Sequence, residues 1–197
     1  MAYSIDSIKD DCYPGTLCLI NKLDIHDEDL LAEAESAIVL AKMSLLDQQV
    51  FCGRFDFAHF KAVHEFLFSD LYSWAGQIRT VDISKKGTAF VPVSEIEHCA
   101  KACFDRLSNF NGEGMSPREF AHEIADFYNT VNMLHPFREG NGRAQRSFFA
   151  QWLRSLGYDF DMAGVDTDRF MIATIQAAHG VENMLAEFFE ETLFKRT

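Results

Sequence analysis

The sequence predicts an all-α domain with one β-hairpin. Apolar residues recur at helical spacing along most of the chain. One short stretch departs from that spacing, because two strand-like runs flank a polar turn that contains a glycine. The 197 residues contain no repeat, low-complexity tract or obvious linker. A single packed domain is therefore expected.

The first half of the chain contains two predicted helices after an irregular segment over residues 1–26. The first helix runs from Asp27 to about Leu46, and the acidic residues in its first turn favour a helix start. The second helix follows Asp56. Its apolar stripe consists of Phe57, Phe60, Val63, Leu67 and Leu71.

A hairpin and a third helix come next. Residues 81–83 and 89–91 are the strand-like runs, and the residues between them form the predicted turn. Ser94 and Glu97 have the spacing of a capping box, in which each side chain binds the other residue's backbone N–H at a helix start. This box predicts a helix that continues to about Phe110.

A fourth helix is predicted from a second capping box. Ser116 and Glu119 form the box, and Pro117 fits the first helical position. The helix is predicted to stop before His135, because Pro136 disfavours a helical conformation in the residue that precedes it.

Three further helices are predicted towards the end of the chain. The first begins near Gly142 and runs to Leu156, with Gly157 as its C-cap, because glycine adopts the left-handed conformation that ends many helices. The other two helices cover about residues 167–178 and 182–194.

The composition excludes some classes of function. The net charge of −12 and the isoelectric point of about 4.9 argue against a general nucleic-acid binder, which needs a basic surface. The odd number of cysteines, five, indicates free thiols, and no signal peptide or membrane-spanning run is apparent. A cytoplasmic location is expected.

The residues that carry chemistry lie between His135 and Arg146, which read His-Pro-Phe-Arg-Glu-Gly-Asn-Gly-Arg-Ala-Gln-Arg. His135 follows a predicted helix end, where the dipole favours an imidazolium and helps the ring to accept a proton. Glu139 is a hard oxygen ligand that suits Mg²⁺ shared with substrate phosphates. Phe137 is expected to anchor the loop in the core.

An anion site is predicted beside these residues. Gly140 and Gly142 allow backbone angles that direct several N–H groups into one concavity, and the start of the next helix faces the same place. Arg143 and Arg146 are neighbours on that helix, and guanidinium groups suit phosphate oxygens. The segment therefore indicates chemistry at a nucleotide phosphate.

The same twelve residues resemble the signature of the Fic family, His-x-Phe-x-[Asp/Glu]-Gly-Asn-Gly-Arg-x-x-Arg, and every specified position is matched. Upstream, Tyr72, Trp74, Ala75 and Gly76 resemble the family's Tyr-x-Trp-Ala-Gly segment, which leads into its hairpin flap. The resemblance covers roughly residues 60–190. It implies one Fic-type helical bundle with an N-terminal helical extension over residues 1–55.

The resemblance implies a protein adenylyltransferase, which transfers AMP from ATP to a tyrosine, serine or threonine hydroxyl of a target protein. His135 resembles the base that deprotonates this hydroxyl, and Glu139 resembles the Mg²⁺ ligand. The nucleotide phosphates would be bound by Arg146 at the γ-phosphate and by an anion hole. The anion hole would comprise Gly140, Asn141, Gly142 and Arg143.

The flap would pair with the target through its main chain, a form of β-augmentation. Lys86 and Gly87 are predicted to approach the nucleotide, and a solvated turn at Lys85 and Lys86 is the alternative. The adenine would lie partly against the helix near residues 172–179.

The family also suggests regulation by a partner. Many members carry an inhibitory helix with the pattern [Ser/Thr]-x-x-x-Glu-[Gly/Asn], and no serine or threonine in this chain fits it. Such members resemble toxins that a small separate antitoxin inhibits. Their targets are often the ATPase subunits of type II topoisomerases, which are the expected target here.

Several alternatives stay open at this point. A kinase related to the Doc proteins is disfavoured, because its motif has Lys-Arg where Gly142 and Arg143 stand. Transfer of UMP or phosphocholine, and a catalytically silent binding module, are not excluded by the motif. A zinc site at His98, Cys99 and Cys103 lacks a second cysteine pair at ligand spacing.

Overall fold

The computed structural model describes residues 11–85, 87–160 and 165–196, and within them the chain forms seven α-helices and two small antiparallel sheets. The helices are α1 (Glu28–Asp47), α2 (Phe57–Phe68), α3 (Ile96–Ser108), α4 (Pro117–Leu134), α5 (Asn141–Ser155), α6 (Thr167–Ala178) and α7 (Asn183–Thr192). The strands are β1 (Ser84–Lys85), β2 (Thr88–Ala89), β3 (Tyr158–Phe160) and β4 (Leu193–Lys195). The predicted all-α fold with a hairpin is confirmed.

Two neighbouring helices, α4 and α5, form the centre of the bundle. Helix α4 packs against α3, α5, α6 and α7, while α1 and α2 pack against α5. The core between them is strongly aromatic, because Phe127 of α4 and Phe148, Phe149 and Trp152 of α5 are almost completely buried. The loop between α4 and α5 is therefore supported by the best-packed part of the molecule.

Local capping sets the starts of several helices. Asp27 and Asp56 accept backbone N–H groups at the starts of α1 and α2, and Ser116 and Glu119 form both bonds of the predicted capping box. Helix α4 ends at Leu134 as predicted. None of the helices in the described ranges is long and apolar enough to cross a membrane.

The capping box predicted at Ser94 and Glu97 is wrong. Residues Val93–Glu95 form one 3-10 turn, and Ser94 makes no capping hydrogen bond. The backbone N–H of Val93 donates instead to the Asp82 side chain at 2.8 Å. Because a residue from the hairpin already binds this end of the segment, the serine cap is not needed.

The strand positions of the hairpin also differ from the prediction. Pairing occurs between Ser84 and Ala89 and between Lys85 and Thr88, so that all of these residues except Ala89 come from the expected turn. The flanking runs are bound elsewhere, because Arg79 donates to the carbonyls of Val81 and Val91. Beyond the paired strands, the N–H of Phe90 still donates to the carbonyl of Ile83 at 3.3 Å.

The end of the chain contains a second sheet that the helical spacing did not predict. Strand β3 pairs with β4 in antiparallel register, from Tyr158 opposite Lys195 to Phe160 opposite Leu193. The last helix consequently ends at Thr192 rather than near residue 194. Gly157, which follows the C-cap Leu156 at a φ of 84°, turns the chain from α5 into β3.

Candidate active site

A cavity of about 720 Å³ opens between the α4–α5 loop, the hairpin and α6. Six residues predicted for the site line it, namely His135, Glu139, Gly140, Gly142, Arg143 and Arg146. The prediction that the motif forms one site is therefore consistent with the geometry. A cavity of this size accommodates a small-molecule ligand such as a nucleotide.

His135 is held in one orientation by three contacts. Its backbone is left-handed, with φ of 41° and ψ of 57°, and Arg79 donates to its carbonyl at 2.9 Å. The imidazole stacks on Phe90, with 3.7 Å between ring centroids. Its Nδ1 lies 3.0 Å from the carbonyl oxygen of Asn132, which can only accept, so Nδ1 carries the proton. Nε2 is then the proton-accepting atom.

The expectation that the helix dipole favours a charged His135 is wrong. The pKa of His135 is lowered to about 3, mainly by burial and to a smaller extent by the charges of Lys85 and Arg79, whereas the bond to Asn132 acts in the opposite direction. Desolvation of the imidazolium outweighs the dipole, because the dipole effect is modest and decays within the last helical turn. The ring is neutral at pH 7.

Glu139 presents a carboxylate to the cavity beside the start of α5. One oxygen accepts the N–H of Gly140 at 2.9 Å and lies 3.7 Å from Nη2 of Arg143. The described ranges hold no group of three or more metal-binding side chains. The residues present fit Mg²⁺ only as an ion that takes most of its ligands from substrate phosphates and water, which is a common arrangement for this ion.

Asn141 has a structural position rather than a place in the cavity wall. It is 3% exposed, and its side chain donates to the carbonyl of Phe137 at 2.7 Å and accepts its N–H at 2.8 Å. This clamp closes the loop, while Phe137 lies buried in the core as expected. The backbone N–H groups of Asn141 and Gly142 have no acceptor within the described residues, as at any helix start.

Gly140 is required by both conformation and space. Its φ is 79°, and an added Cβ would lie 2.3 Å from the Phe68 ring. A side chain here would be strained and would also collide with a buried aromatic ring. The tight turn therefore brings the start of α5 against α2.

The two arginines of the motif have different surroundings. Arg143 forms an ion pair with Glu35 of α1 at 2.5 Å and packs over Phe68, with its guanidinium carbon 4.9 Å from the ring centre. Arg146 lies close to Tyr128, where it opposes the rise of the Tyr128 pKa to about 12 that burial causes. Arg146 has no carboxylate partner in the part of the chain that the structure describes, and its guanidinium lines the cavity.

His64 connects the second matched segment to the motif. Its Nδ1 accepts the N–H of Gly76 at 2.9 Å, and its Nε2 donates to the carbonyl of Glu139 at 2.9 Å. Burial lowers the pKa of His64 to about 4, so the ring stays neutral as these two bonds require. It stacks on Phe137, with centroids 3.8 Å apart. This link explains the position of the Tyr-x-Trp-Ala-Gly segment in the fold, and Trp74 packs at the edge of the core.

The hairpin contributes residues other than the two predicted. Lys86 lies outside the described residues, and Gly87 stands in the turn at a φ of 82° without lining the cavity. Lys85 and Thr88 line the cavity. The sequence did not single out Thr88, because the side chains that a short hairpin turns towards a cavity depend on how the hairpin packs against distant parts of the chain.

Helix α6 closes the side of the cavity opposite the hairpin. Phe170, Met171, Thr174 and Ile175 line it. The position of an adenine near residues 172–179 stays a prediction. Sequence reasoning did not single out these side chains. These residues recur at helical spacing, but helical spacing alone does not distinguish residues that face the core from residues that line a cavity.

The sequence also matches known proteins. The model of the Fic/DOC family matches residues 54–153. The chain belongs to the Fic/DOC family. Over 173 residues it is 36% identical to the probable protein adenylyltransferase y4lH of Sinorhizobium fredii. The aligned residues cover 86% of this chain and 88% of y4lH.

Two further similarities concern Bartonella proteins. The chain is 33% identical to the protein adenylyltransferase VbhT of Bartonella schoenbuchensis over 93% of its own length, but it spans only 39% of VbhT. A crystal structure of BepC, a VirB-translocated effector of Bartonella tribocorum with bound AMPPNP, superimposes with a TM-score of 0.89 at 27% identity. That similarity covers 96% of this chain and 98% of BepC.

Proposed function

We propose that this Fic protein is a protein adenylyltransferase that transfers AMP from ATP to a tyrosine, serine or threonine hydroxyl of a target protein and releases pyrophosphate. The main support is one geometric observation. The proton-accepting Nε2 belongs to a histidine that lines the same cavity as Arg143, Arg146 and Glu139. Relatives named protein adenylyltransferase and the AMPPNP-bound BepC structure agree with a nucleotide in this cavity.

In the proposed reaction, His135 accepts the proton of the target hydroxyl through Nε2. The hydroxyl oxygen attacks the α-phosphorus, and the bond to the pyrophosphate oxygen breaks. The Asn132 carbonyl accepts from Nδ1–H and so holds the tautomer. When ATP is bound, its anionic triphosphate would lie beside the ring and favour the imidazolium that forms. This charge would offset the low pKa that His135 has without nucleotide.

The phosphates would be bound by the start of α5 and its arginines. The unbonded N–H groups of Asn141 and Gly142 suit phosphate oxygens, and Arg146 would hold the γ-phosphate. Glu139 would hold Mg²⁺ together with phosphate oxygens, and the ion would neutralise charge on the leaving pyrophosphate. The protein mainly positions the reactants and compensates their charge.

The hairpin would present the target hydroxyl to His135. Strand β2 belongs to a sheet of only two strands, so one of its edges can pair with an added strand. Phe90, directly after β2, stacks on His135 and sets the distance between the hairpin and the base. Main-chain pairing would orient the target without selecting its side chains.

The test is label transfer from α-labelled and, in parallel, γ-labelled ATP into a bacterial lysate, with the wild type and His135→Ala. We expect label from the α-phosphate only, and a loss of about a hundredfold or more in the variant, because its general base is removed. His122→Ala, which changes an exposed histidine of α4, is the matched control and should label normally. Label from the γ-phosphate would indicate a kinase. No label from either would favour another nucleotide or a binding module.

We further propose that the chain acts as a toxin held inactive by a small antitoxin. The support is the absence of the inhibitory pattern from the sequence and the lack of a carboxylate partner for Arg146 in the described ranges. The antitoxin would supply a glutamate to Arg146. Co-purification with the product of a small neighbouring reading frame, and inhibition by it, are expected, whereas unchanged activity in its presence would refute the idea.

The proposed target is the ATPase subunit of a type II topoisomerase, a proposal that rests on family resemblance alone. Purified ATPase subunits of DNA gyrase and topoisomerase IV, incubated with the wild type and α-labelled ATP, should become labelled. Labelling of other lysate proteins but not of these subunits would exclude them as targets while leaving the adenylyltransferase proposal intact.

A further inference from the structure

Glu35 is a buried carboxylate on α1, outside the range of residues 54–153 that the family model matches. Only 8% of the residue is exposed. A buried carboxylate costs free energy unless charged or hydrogen-bonding partners compensate it. Its partners therefore indicate what it does.

Both oxygens of Glu35 are bonded. Oε1 lies 2.5 Å from Nη2 of Arg143, and Oε2 accepts the hydroxyl of Tyr72. Burial, and after it the charge of Glu35, raise the pKa of Tyr72, so the phenol keeps the proton that it donates. Three parts of the chain meet here: α1, the segment before the hairpin, and α5.

The guanidinium of Arg143 both binds Glu35 and lines the cavity. One face packs over the Phe68 ring, and Nη2 is taken by Glu35. Nε and Nη1 have no hydrogen-bond acceptor within residues 11–85, 87–160 and 165–196, although Arg143 lines the cavity. The ring and the carboxylate fix the group, and its remaining donors are available to a ligand.

Glu35 does not itself line the cavity. It therefore leaves the space that a phosphate would fill, which distinguishes it from an inhibitory carboxylate that occupies the ligand position. Its charge is compensated by the ion pair with Arg143.

We propose that Glu35, oriented by Tyr72, is a positioning residue that fixes Arg143 for binding the phosphates of the nucleotide. This rests on the function proposed above. A free arginine side chain loses conformational entropy when it binds a phosphate, and a guanidinium already fixed by a buried carboxylate loses less. Helix α1 is thus part of the phosphate site even though no residue of it lines the cavity.

The test compares the binding of AMPPNP with that of adenosine, both with Mg²⁺, to the full chain by titration calorimetry. In Glu35→Ala we expect about a tenfold loss of affinity for AMPPNP, because Arg143 is no longer held, and unchanged affinity for adenosine, which lacks phosphates. Glu35→Gln should lose less, since its amide oxygen still accepts from Arg143. Glu33→Ala, an exposed glutamate of the same helix, is the matched control and should bind both ligands normally.

The outcomes separate this inference from the function on which it rests. Tighter or unchanged AMPPNP binding by Glu35→Ala, or an equal loss for both ligands, would overturn the positioning role. A wild-type chain that binds neither ligand would overturn the proposed function and the role of Glu35 with it. Circular dichroism verifies folding of each variant, and if Glu35→Ala does not fold, Glu35→Gln alone must show a loss confined to AMPPNP.

Discussion

At the scale of single residues, the protonation of His135 is the most consequential property of the site. Burial keeps the ring neutral, and its bond to Asn132 makes Nε2 the nitrogen that carries the lone pair. A base of this kind is ready to accept a proton at neutral pH without first losing one. The low pKa of His135, which makes the ring a weak base, applies to the site without nucleotide.

The first prediction concerns the titration of His135. In the chain without nucleotide, the neutral ring should persist as the pH falls from 7.5 to 5, because its pKa is lowered to about 3, far below the ordinary value of 6.5. Histidine NMR signals, with the His135 signal assigned from His135→Ala, provide the measurement. A shift of that signal with a midpoint near 6.5 would contradict the prediction.

The second prediction compares two glycines with the same φ of 79°, Gly140 and Gly114. Gly114→Ala should lower the free energy of unfolding by about 1–2 kcal/mol, the cost of a side chain in the left-handed conformation. Gly140→Ala should lower it by a further ~1–3 kcal/mol, because its Cβ would meet the Phe68 ring, whereas nothing lies within 4 Å at Gly114. Urea unfolding measures both, and equal losses would show that Phe68 moves away freely.

At the scale of elements, long-range hydrogen bonds determine where the motif loop and the hairpin lie. His64 of α2 joins the backbone of Gly76 to that of Glu139, and Arg79 joins the base of the hairpin to His135. Both side chains are buried. The hairpin and the catalytic loop are therefore fixed relative to each other through α2 and the segment that follows it.

The third prediction tests the two capping boxes. Ser116→Ala should lower the free energy of unfolding by about 1 kcal/mol, because its hydroxyl accepts the N–H of Glu119 at the start of α4. Ser94→Ala should change it by less than about 0.5 kcal/mol, since Ser94 is exposed and makes no capping bond. Thermal and urea unfolding of both variants give the comparison. A loss at Ser94 as large as that at Ser116 would contradict the helix start described for α3.

At the scale of the whole molecule, two buried histidines and one half-buried histidine should make the fold sensitive to acid. Burial lowers the pKa of His59, His64 and His135 in the folded chain, to about 4 for His64 and about 3 for His135. Below pH 6.5 the unfolded chain binds more protons at these positions, so stability is lost as the pH falls.

The fourth prediction states how far the free energy of unfolding falls as the pH is lowered. Between pH 6.5 and 5, the free energy of unfolding should fall by up to about 1.4 kcal/mol per pH unit for each histidine that stays neutral in the fold. Urea unfolding at several pH values measures the slope. His64→Gln should reduce the slope by one histidine's share, and a stability that is constant or rises over this interval would contradict the prediction.

The sequence by itself determined the properties that depend on neighbours along the chain. Helical spacing and capping residues gave most helices to within a few residues, and the glycines and spacing of the motif indicated an anion site at the start of α5, where Gly140 is left-handed and Gly142 is helical. These are local effects, because hydrogen bonds within a helix and its caps join residues at most a few positions apart.

Only the tertiary structure decided the properties that depend on residues distant in sequence. Glu35 and Arg143 are 108 positions apart, and His64 reaches Glu139 across 75. The neutral state of His135, which reversed the prediction from the helix dipole, likewise depends on burial that no local pattern records. Desolvation and ion pairing arise from packing, so they appear only once distant elements are brought together.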